Sequence, residues 1–265
     1  MSLKHCILFL LTVSSLSACL RDDPVNGGKT DGPKVYTLGT PVSYETSLEG
    51  LSAICLNESG DGLLIAEDNG HIYEFGFDGT SKKTLTVDKP ASHSSGDKVD
   101  LEGITRSLDG TTLYVCEERY REIYQLGADH KTLTLLSTGP VEAGSEDNQG
   151  YEGIAAGDGV LYVANQSKPT RVYTYNLSTK TWATAFDASW ATSLSDLYYD
   201  KEDGTLWITD AKTQKLTQLK TDGTKIHEYD ISFVKKPEGF CKDPVNKKFW
   251  FVCDKTSKIQ AVQYQ

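Results

Sequence analysis

The sequence lacks the short motifs by which many hydrolases and metalloenzymes are recognised. It contains no GxSxG nucleophile elbow, no HExxH zinc-binding motif and no HxH pair. Its six cysteines show no CxxC spacing, so a zinc site made of thiolates is not indicated. Beyond the N-terminal segment no stretch has helical periodicity, and methionine occurs once. These absences argue against a serine hydrolase, a zinc protease and a helical fold.

Basic residues are also scarce relative to acidic ones. Lys and Arg number 27 against 37 Asp and Glu, which leaves a formal net charge of −10. Such a surface repels phosphate backbones, so we expect no nucleic-acid partner, whereas it suits the binding of cations. Fourteen Tyr, four Trp and 23 Gly are typical of strands and turns.

The first residues have the features of a targeting segment. Lys4 precedes an apolar run at residues 7–13, which is too short to span a bilayer. The tetrad LSAC at residues 16–19 resembles a bacterial lipobox, which implies cleavage before Cys19 and lipidation of that cysteine. The alternative is an ordinary cleaved signal peptide that happens to contain a cysteine.

The lipobox interpretation divides the chain into three parts. We expect a lipoprotein signal peptide at residues 1–18, a flexible tether at 19–33 and the folded domain at 34–265. The lipid would anchor the protein to a bacterial membrane in the cell envelope. The outer membrane is the expected one, and either a periplasmic or a surface-facing orientation remains open.

A unit of short strands occurs five times along the chain. Each copy starts near an acidic residue and a glycine, passes a Gly/Asp turn, and continues into a strongly apolar strand and an alternating one. Successive copies begin 43 to 53 residues apart, at Glu49, Glu102, Glu152, Ser195 and Glu238. Four strands in roughly 40–50 residues is the size of a propeller blade. The pattern predicts an all-β fold, a five-bladed β-propeller.

The fifth copy has no fourth strand of its own. An additional strand is predicted at the N-terminal end of the domain. Residues 34–38, KVYTL, alternate in polarity. We expect this N-terminal strand to pair with the last blade and close the ring, because closure removes exposed sheet edges. The cysteines of the domain fall in predicted strands, and we expect buried free thiols at Cys55, Cys116, Cys241 and Cys253.

The repeat predicts a ring of carboxylates at one mouth of the central channel. The first strand of each blade lines the channel, and the antiparallel second strand returns to the same mouth. The inner acids are Glu49, Glu102, Glu152 and Glu238, and the side chains around them are Glu67, Asp68, Glu117, Glu118, Asn165 and Asp210. Carboxylates packed this closely repel one another unless they are protonated or bridged by a cation. Calcium takes six to eight oxygen ligands with loose geometry, so we expect calcium as the cofactor.

A structural alternative exists for the same glutamates. A glutamate before glycine could accept hydrogen bonds from backbone amides at the blade junctions and hold neighbouring blades together. In the fourth copy Ser195 and Asp196 replace the Glu-Gly pair. That position either leaves the coordination shell or contributes Asp196 instead.

One histidine is a candidate for acid/base chemistry. His93 lies in the connection at residues 88–99, which, like the connection at 137–150, leads into a Glu-Gly position and should overhang the acidic end of the channel. The remaining histidines of the domain fall in strands or turns and are expected at the surface. A lone loop histidine is more often without a catalytic role.

Two segments, DLEGITRSLDGTTLYVCEERYREIYQL at 100–126 and YEGIAAGDGVLYVANQ at 151–166, resemble a known family. They are similar to the SdiA-regulated family of bacterial proteins, distant relatives of NHL-repeat propellers, and the resemblance covers about residues 40–265. It implies a five-bladed propeller with calcium at a shared site. It implies no established enzymatic or cellular activity.

The resemblance also implies which residues hold the metal. Glu102 and Glu152 match the family's Glu-Gly glutamates best, and Glu238 matches well. Glu118 matches the acid that follows the second strand. Glu49 matches less well, because the first unit of the family often lacks this acid.

Two functions remain open from the sequence. The first is a calcium-binding envelope lipoprotein that acts as a binding or scaffold protein and holds a small molecule or a protein at the channel mouth. The second is a calcium-dependent hydrolase of lactones or phosphoesters, related to six-bladed propeller enzymes, in which the metal polarises a carbonyl or phosphoryl oxygen. Such an enzyme needs a base, which His93, Glu117 or Glu118 would supply. The sequence favours binding over catalysis.

Overall fold

A computed structural model describes residues 32–143, 146 and 148–265. Twenty strands, numbered β1 to β20 in chain order, form five antiparallel sheets of four strands each. The only helical element within these ranges is a single 3-10 turn at Asp254–Thr256. The described part has no helix long and apolar enough to cross a membrane. The predicted signal peptide and the lipidation site Cys19 lie outside the described residues.

The strands occupy equivalent places in the five sheets. The innermost strands are β2 (Leu51–Leu56), β6 (Leu101–Arg106), β10 (Tyr151–Ala156), β14 (Leu194–Asp200) and β18 (Pro237–Asp243). The second strands are β3 (Gly62–Glu67), β7 (Leu113–Glu117), β11 (Val160–Asn165), β15 (Thr205–Asp210) and β19 (Lys248–Cys253). The third strands are β4 (His71–Gly76), β8 (Glu122–Leu126), β12 (Arg171–Asn176), β16 (Lys215–Lys220) and β20 (Lys258–Tyr264). The outer strands are β5 (Ser81–Thr86), β9 (Leu133–Thr138), β13 (Thr181–Asp187), β17 (Lys225–Asp230) and β1 (Leu38–Glu45).

The innermost strands contact one another in a closed circle. β2 packs against β6, β6 against β10, β10 against β14, β14 against β18, and β18 returns to β2. Five four-stranded blades therefore surround one axis, which confirms the predicted five-bladed β-propeller.

Apolar cores lie between neighbouring blades and hold the ring together. Between blades four and five, for example, Trp207 packs against Phe240 and Phe249 with ring centroids 6.0 and 5.3 Å apart. Each blade contributes one face to each of two cores, so its second strand is buried on both sides. This explains why the second strands are continuous apolar runs in the sequence. The thiols Cys55, Cys116, Cys241 and Cys253 are free and buried in these layers, as expected.

The N-terminal strand closes the ring, as the repeat predicted, although it begins later than expected. β1 pairs antiparallel with β20, with Val42 opposite Ala261. The segment 34–38 contributes only its last residue to that strand. Tyr36 instead turns its ring onto Tyr264, at a centroid distance of 4.6 Å, and its backbone N–H donates to the Tyr229 hydroxyl at 3.0 Å. Thr37 still exchanges two backbone hydrogen bonds with Gln265, and the side-chain contacts of Tyr36 anchor the segment before it.

A buried ion pair strengthens the same junction. Lys242 of β18 is 1% exposed, and its ammonium group donates to the Asp200 carboxylate of blade four. It also donates to the hydroxyl of Tyr36 at 3.0 Å. Blades four and five and the closing segment therefore share one charged hydrogen-bond network.

Glycines on the inner strands permit a very close approach between blades. A Cβ atom on Gly153 would lie 2.6 Å from the Cα of Asp196 in the next blade. A Cβ on Gly239 would lie 2.9 Å from the Cα of Ala53. The glycine of each Glu-Gly pair on these strands is thus needed for backbone contact around a narrow axis.

Candidate functional site

The starts of the inner strands surround a polar cavity at one end of the channel, which we call the acidic mouth. Its volume is about 200 Å³. The residues on its walls are Gly50, Ser52, Asp68, Glu102, Glu118, Asn148, Glu152, Gln166, Lys236, Glu238 and Asp254. Six of these carry carboxylates and one carries an ammonium group. The structure therefore brings four of the predicted ligands, Glu102, Glu118, Glu152 and Glu238, to one cavity.

A bulge at the start of each inner strand determines which side chains reach this cavity. In β6 the pairing with β7 passes from Leu101 to Gly103 and leaves Glu102 unpaired on the neighbouring strand. The other four inner strands show the same irregularity, and the corresponding residues are Ser52, Glu152, Ser195 and Glu238. Three of the predicted glutamates thus occupy one repeated structural position.

The structure does not bring Glu49 into the cavity, although it also precedes a glycine. Its side chain is exposed and is not part of the cavity wall. Ser52 occupies the repeated position in blade one, and its hydroxyl donates to the carbonyl of Gly50 at 3.1 Å. The pair Glu49-Gly50 has the same residue types as the Glu-Gly pairs of the other copies. It lies three residues before the repeated bulge position, which Ser52 occupies in blade one.

Blade four also contributes no carboxylate at the repeated position. Ser195 is buried, and its hydroxyl donates to the Pro237 carbonyl at 2.6 Å. The next residue, Asp196, accepts hydrogen bonds from the backbone N–H groups of Phe240, at 2.7 Å, and Leu197, at 2.8 Å. Asp196 therefore joins blades four and five and does not line the cavity.

Asp100, Glu102 and Glu118 form the tightest cluster of acids. One carboxylate oxygen from each lies within 4.8 Å of the other two. Asp100 also pairs with Arg119 at 3.2 Å, and Glu118 accepts a hydrogen bond from the Gly150 N–H at 3.3 Å. Within the described ranges, the carboxylate of Glu102 has neither a hydrogen bond nor an ion pair. Its oxygens are therefore free to bind a cation.

Burial and mutual repulsion raise the pKa values of these acids. Burial raises the pKa of Glu102 well above its usual range, and the charges of Glu118 and Asp100 raise it further. The pKa of Glu152 rises in the same way through burial and the charge of Glu102. Burial also raises the pKa of Glu118 to about 7. Without a bound cation, the folded state disfavours the fully ionised cluster.

Lys236 partly neutralises the far side of the cavity. Its ammonium group lies 2.6 Å from a Glu238 carboxylate oxygen and 2.9 Å from Asp254. Burial raises the pKa of Glu238 to about 7, while Lys236 opposes this rise. The ammonium group holds this side of the ring together. The opposite side, with Asp100, is neutralised only in part, by the outlying Arg119 and Lys98 among the described residues.

The second strands of three blades contribute acids to the cavity. Each of these acids directly follows the last residue of its strand. Asp68 and Glu118 reach the cavity as expected, and Asp254 does so from the equivalent place in blade five. The preceding residues turn into the blades instead. Glu67 accepts from the Tyr73 hydroxyl at 3.1 Å, and Glu117 accepts from the Tyr120 N–H at 2.6 Å. Asn165 and Asp210 likewise bond to nearby backbone groups.

Sequence reasoning missed Asp100, Asp254 and Lys236. The residue types are misleading for Asp254, because the run VCD at 252–254 matches VCE at 115–117, whereas strand pairing makes Asp254 equivalent to the cavity acid Glu118. Asp100 and Lys236 each precede an inner strand, where the five copies share no residue type.

His93 is placed away from the acidic mouth. It is 5% exposed, and its Nε2 lies 2.8 Å from a Glu122 carboxylate oxygen and 3.1 Å from the Tyr124 hydroxyl. Its ring stacks on Tyr120 with centroids 4.0 Å apart. The geometry gives His93 a packing role in blade two and does not bring it to the cavity.

The donor set fits a hard, divalent cation. Carboxylate and amide oxygens line the acidic mouth, whereas imidazole and thiolate groups do not. Calcium accepts six to eight oxygens at irregular angles, and magnesium requires near-ideal octahedral geometry. The unevenly spaced carboxylates of a five-fold ring suit calcium better.

The fold resembles that of several solved structures at low sequence identity. A chain of a nidogen/laminin complex is 15% identical with a TM-score of 0.56, and the match covers 80% of this chain and 75% of that one. A luciferin-regenerating enzyme is 14% identical with a TM-score of 0.55, covering 84% and 95%. A protein of unknown function from Bacteroides thetaiotaomicron is 12% identical with a TM-score of 0.54, covering 84% and 72%. These likenesses show the fold alone.

Sequence comparison is more informative about the family. No curated protein matches the chain. One family model, described as phytase-like with the esterase-like activity of phytase, matches residues 46–192. The match spans blades one to three and includes four acids of the cavity, Asp68, Glu102, Glu118 and Glu152. Because it covers more than half of the sequence, the chain belongs to the phytase-like family.

Proposed function

We propose that the acidic mouth binds one calcium ion and that the bound ion makes this end of the channel a binding site for an anionic ligand. The observation that carries the proposal is the cluster of Asp100, Glu102 and Glu118, whose oxygens lie within 4.8 Å of one another. Glu152 and Glu238 complete the ring of donors. This assignment follows the resemblance to the SdiA-regulated family, which itself remains a prediction.

Calcium would change the electrostatics of the mouth from anion-repelling to anion-accepting. A divalent cation offsets the repulsion that raises the pKa values of Glu102 and Glu118, so these groups ionise and bind it. Coordination positions that the protein leaves open would accept a carboxylate or phosphate oxygen of the ligand. A binding or scaffold protein, lipid-anchored through Cys19 in the cell envelope, is the role that agrees with this chemistry.

The second candidate is a calcium-dependent hydrolase of phosphate esters. The family match, with its esterase-like description, favours it. Bound calcium would supply Lewis-acid polarisation of the phosphoryl oxygen. Asp68 would act as the base, because it lines the cavity and lies outside the cluster of proposed metal ligands, whereas His93 and Glu117 do not line it. Burial and the charge of Glu67 raise the pKa of Asp68, which favours proton transfer nearer to neutral pH.

The metal proposal is tested by calorimetric titration of the purified protein with calcium. We expect one binding event and a melting temperature that falls in excess chelator. The variants Glu102→Gln and Glu152→Gln should each weaken calcium binding by at least about tenfold, which corresponds to about 1.4 kcal/mol. Glu49→Gln is the matched control, since it removes an acid just outside the cavity and should leave the affinity unchanged. No binding heat in the wild-type protein would refute the metal site.

A turnover assay separates the two functions. The calcium-loaded protein is incubated with p-nitrophenyl phosphate and with phytate, and released phosphate is measured. Hydrolysis that is lost in chelator and in Asp68→Asn supports the hydrolase. Calcium binding without release of phosphate from either ester supports the binding role.

A further inference from the structure

A second cavity opens at the opposite end of the channel, where the inner strands finish. We call it the far mouth. Its volume is about 350 Å³, within the range of small-molecule sites. Apolar side chains form most of its floor, and Ile54, Ile104, Leu197 and Phe240 are among them. The far mouth therefore offers an apolar surface to a ligand, in contrast to the acidic mouth.

Arg106, the last residue of β6, lines the far mouth and is poorly satisfied. Its Nη1 donates to the Gly110 carbonyl at 3.1 Å. Its Nε and Nη2 are buried and have no hydrogen-bond partner, and no ion pair to Arg106 is formed anywhere in the described part of the chain. Buried donors without partners lose the hydrogen bonds that they would make to water, which destabilises the folded state. A protein gains nothing in stability from such an arrangement.

The unpaired edge matches an anion in shape, and a turn of the half-buried side chain would present it to the cavity. Nε–H and one N–H of Nη2 point in the same direction from the planar guanidinium and match the two oxygens of a carboxylate. Arg106 also influences the adjacent thiol: burial raises the pKa of Cys55 to about 12, and the positive charge of Arg106 opposes that rise. The charge therefore acts inside the cavity, of which Cys55 also forms a wall.

The other charged groups around the far mouth are already engaged or solvated. Lys242 is paired with Asp200, and Lys201 donates to the Leu108 carbonyl at 3.2 Å. Of the two acids on the wall, Asp109 accepts hydrogen bonds from its own turn and is exposed. Glu58 is exposed at the rim. Arg106, which is half-buried and whose Nε and Nη2 are buried, is thus the charge of this wall that lacks a counter-ion among the described residues.

We propose that the far mouth binds a small organic carboxylate whose acid group pairs with Arg106 and whose apolar body lies against Ile104, Leu197 and Phe240. The site is separate from the acidic mouth and does not depend on calcium. Apolar contact supplies affinity, and the paired guanidinium edge selects for the carboxylate.

The test is a calorimetric titration with benzoate and hexanoate in the presence of a calcium chelator, so that the acidic mouth takes no part. Benzamide serves as the neutral counterpart of benzoate. We expect at least one of the acids to bind with a Kd in or below the millimolar range, and at least about tenfold more tightly than benzamide. Arg106→Gln should weaken acid binding by about tenfold or more. The affinity of Arg106→Lys for the acid should lie between those of the wild-type protein and Arg106→Gln, because lysine keeps the positive charge but lacks the paired N–H donors of the guanidinium group.

Two controls make the result decisive. Glu102→Gln, at the other end of the channel, should not affect benzoate binding. Arg106→Leu should melt no lower than the wild-type protein in ligand-free buffer, because it removes unpaired buried donors. Equal binding of benzoate by wild type and Arg106→Gln, absence of binding by both acids up to about 10 mM, or severe destabilisation by Arg106→Leu would each overturn the proposal.

Discussion

The stability of the metal-free protein should fall as the pH rises from about 5 to about 7.5. In the folded state, burial raises the pKa values of Glu118 and Glu238 from 4.5 to about 7. The folded state therefore holds protons that the unfolded state has released within this pH window. A group whose folded pKa is raised stabilises the fold below its unfolded pKa, and that contribution is lost as pH passes through the folded pKa.

The size of the effect follows from the same pKa values. A rise from 4.5 to about 7 corresponds to about 3 kcal/mol for a single group. Glu102 and Glu152 act in the same direction, but the acids share one cavity and their effects are not additive. A loss of about 3 kcal/mol lowers the melting temperature of a domain of this size by on the order of 10 °C.

Melting curves in chelator and in excess calcium, recorded over this pH range, measure the effect. Calcium should reduce the decrease, because it binds the ionised acids of the cavity more tightly as pH rises, whereas Glu117, whose pKa burial raises to about 8 outside the cavity, keeps part of it. Glu118→Gln is the informative variant, since it should remove part of the pH dependence and melt higher than the wild-type protein in chelator near pH 7.5. Burial lowers the pKa of His130, which works in the opposite direction, so the difference between the two proteins is compared. If the melting temperature of the wild-type protein in chelator stays constant or rises with pH relative to that of Glu118→Gln, the reasoning is refuted.

Three further predictions concern the fold. Tyr36→Ala should lower the free energy of unfolding by about 2–3 kcal/mol, because it removes the aromatic contacts of a half-buried ring at ring closure. Gly153→Ala should destabilise the protein strongly in a urea melt, since its Cβ would meet backbone atoms of the next blade, whereas Gly96→Ala, with open space around it, should be nearly neutral. Lys242→Met should cost about 3–5 kcal/mol by leaving Asp200 buried without its cation, and Lys242→Met combined with Asp200→Leu should recover part of that loss.

The fold could be predicted from the sequence because each blade carries the same local signals. Turns at Gly110 and Gly204 adopt positive φ angles, of 79° and 68°, that glycine allows without strain. The second strands are apolar throughout because they lie between two cores. The start of the closing strand could not be predicted from residues 34–38, because the packing of Tyr36 against Tyr264 overrides the local alternation.

The candidate site was predictable where the repeat preserved its register and not elsewhere. The same bulge position is occupied by Glu102, Glu152 and Glu238. For these residues the Glu-Gly pattern of the sequence therefore predicts the structural position correctly. Glu49 also precedes a glycine, but it does not lie at the bulge. Strand pairing shows that Ser52 holds that position in blade one. Lys236 carries the charge opposite to that expected of a ring of acids, and its role depends on a three-dimensional contact with Glu238.

The closing strand also constrains how the protein is made. β1 is synthesised first, and its partner β20 emerges from the ribosome only after all other blades. Until then the nascent chain exposes two unpaired sheet edges, which makes it a client for chaperones that bind extended segments. Thr37 and Gln265 exchange two backbone hydrogen bonds of 2.9 and 3.0 Å, so a short peptide could join them. A circular permutant opened at the connection 137–150, between blades two and three, would form every sheet from consecutive strands, and its folding rate would reveal how much strand closure delays the natural protein.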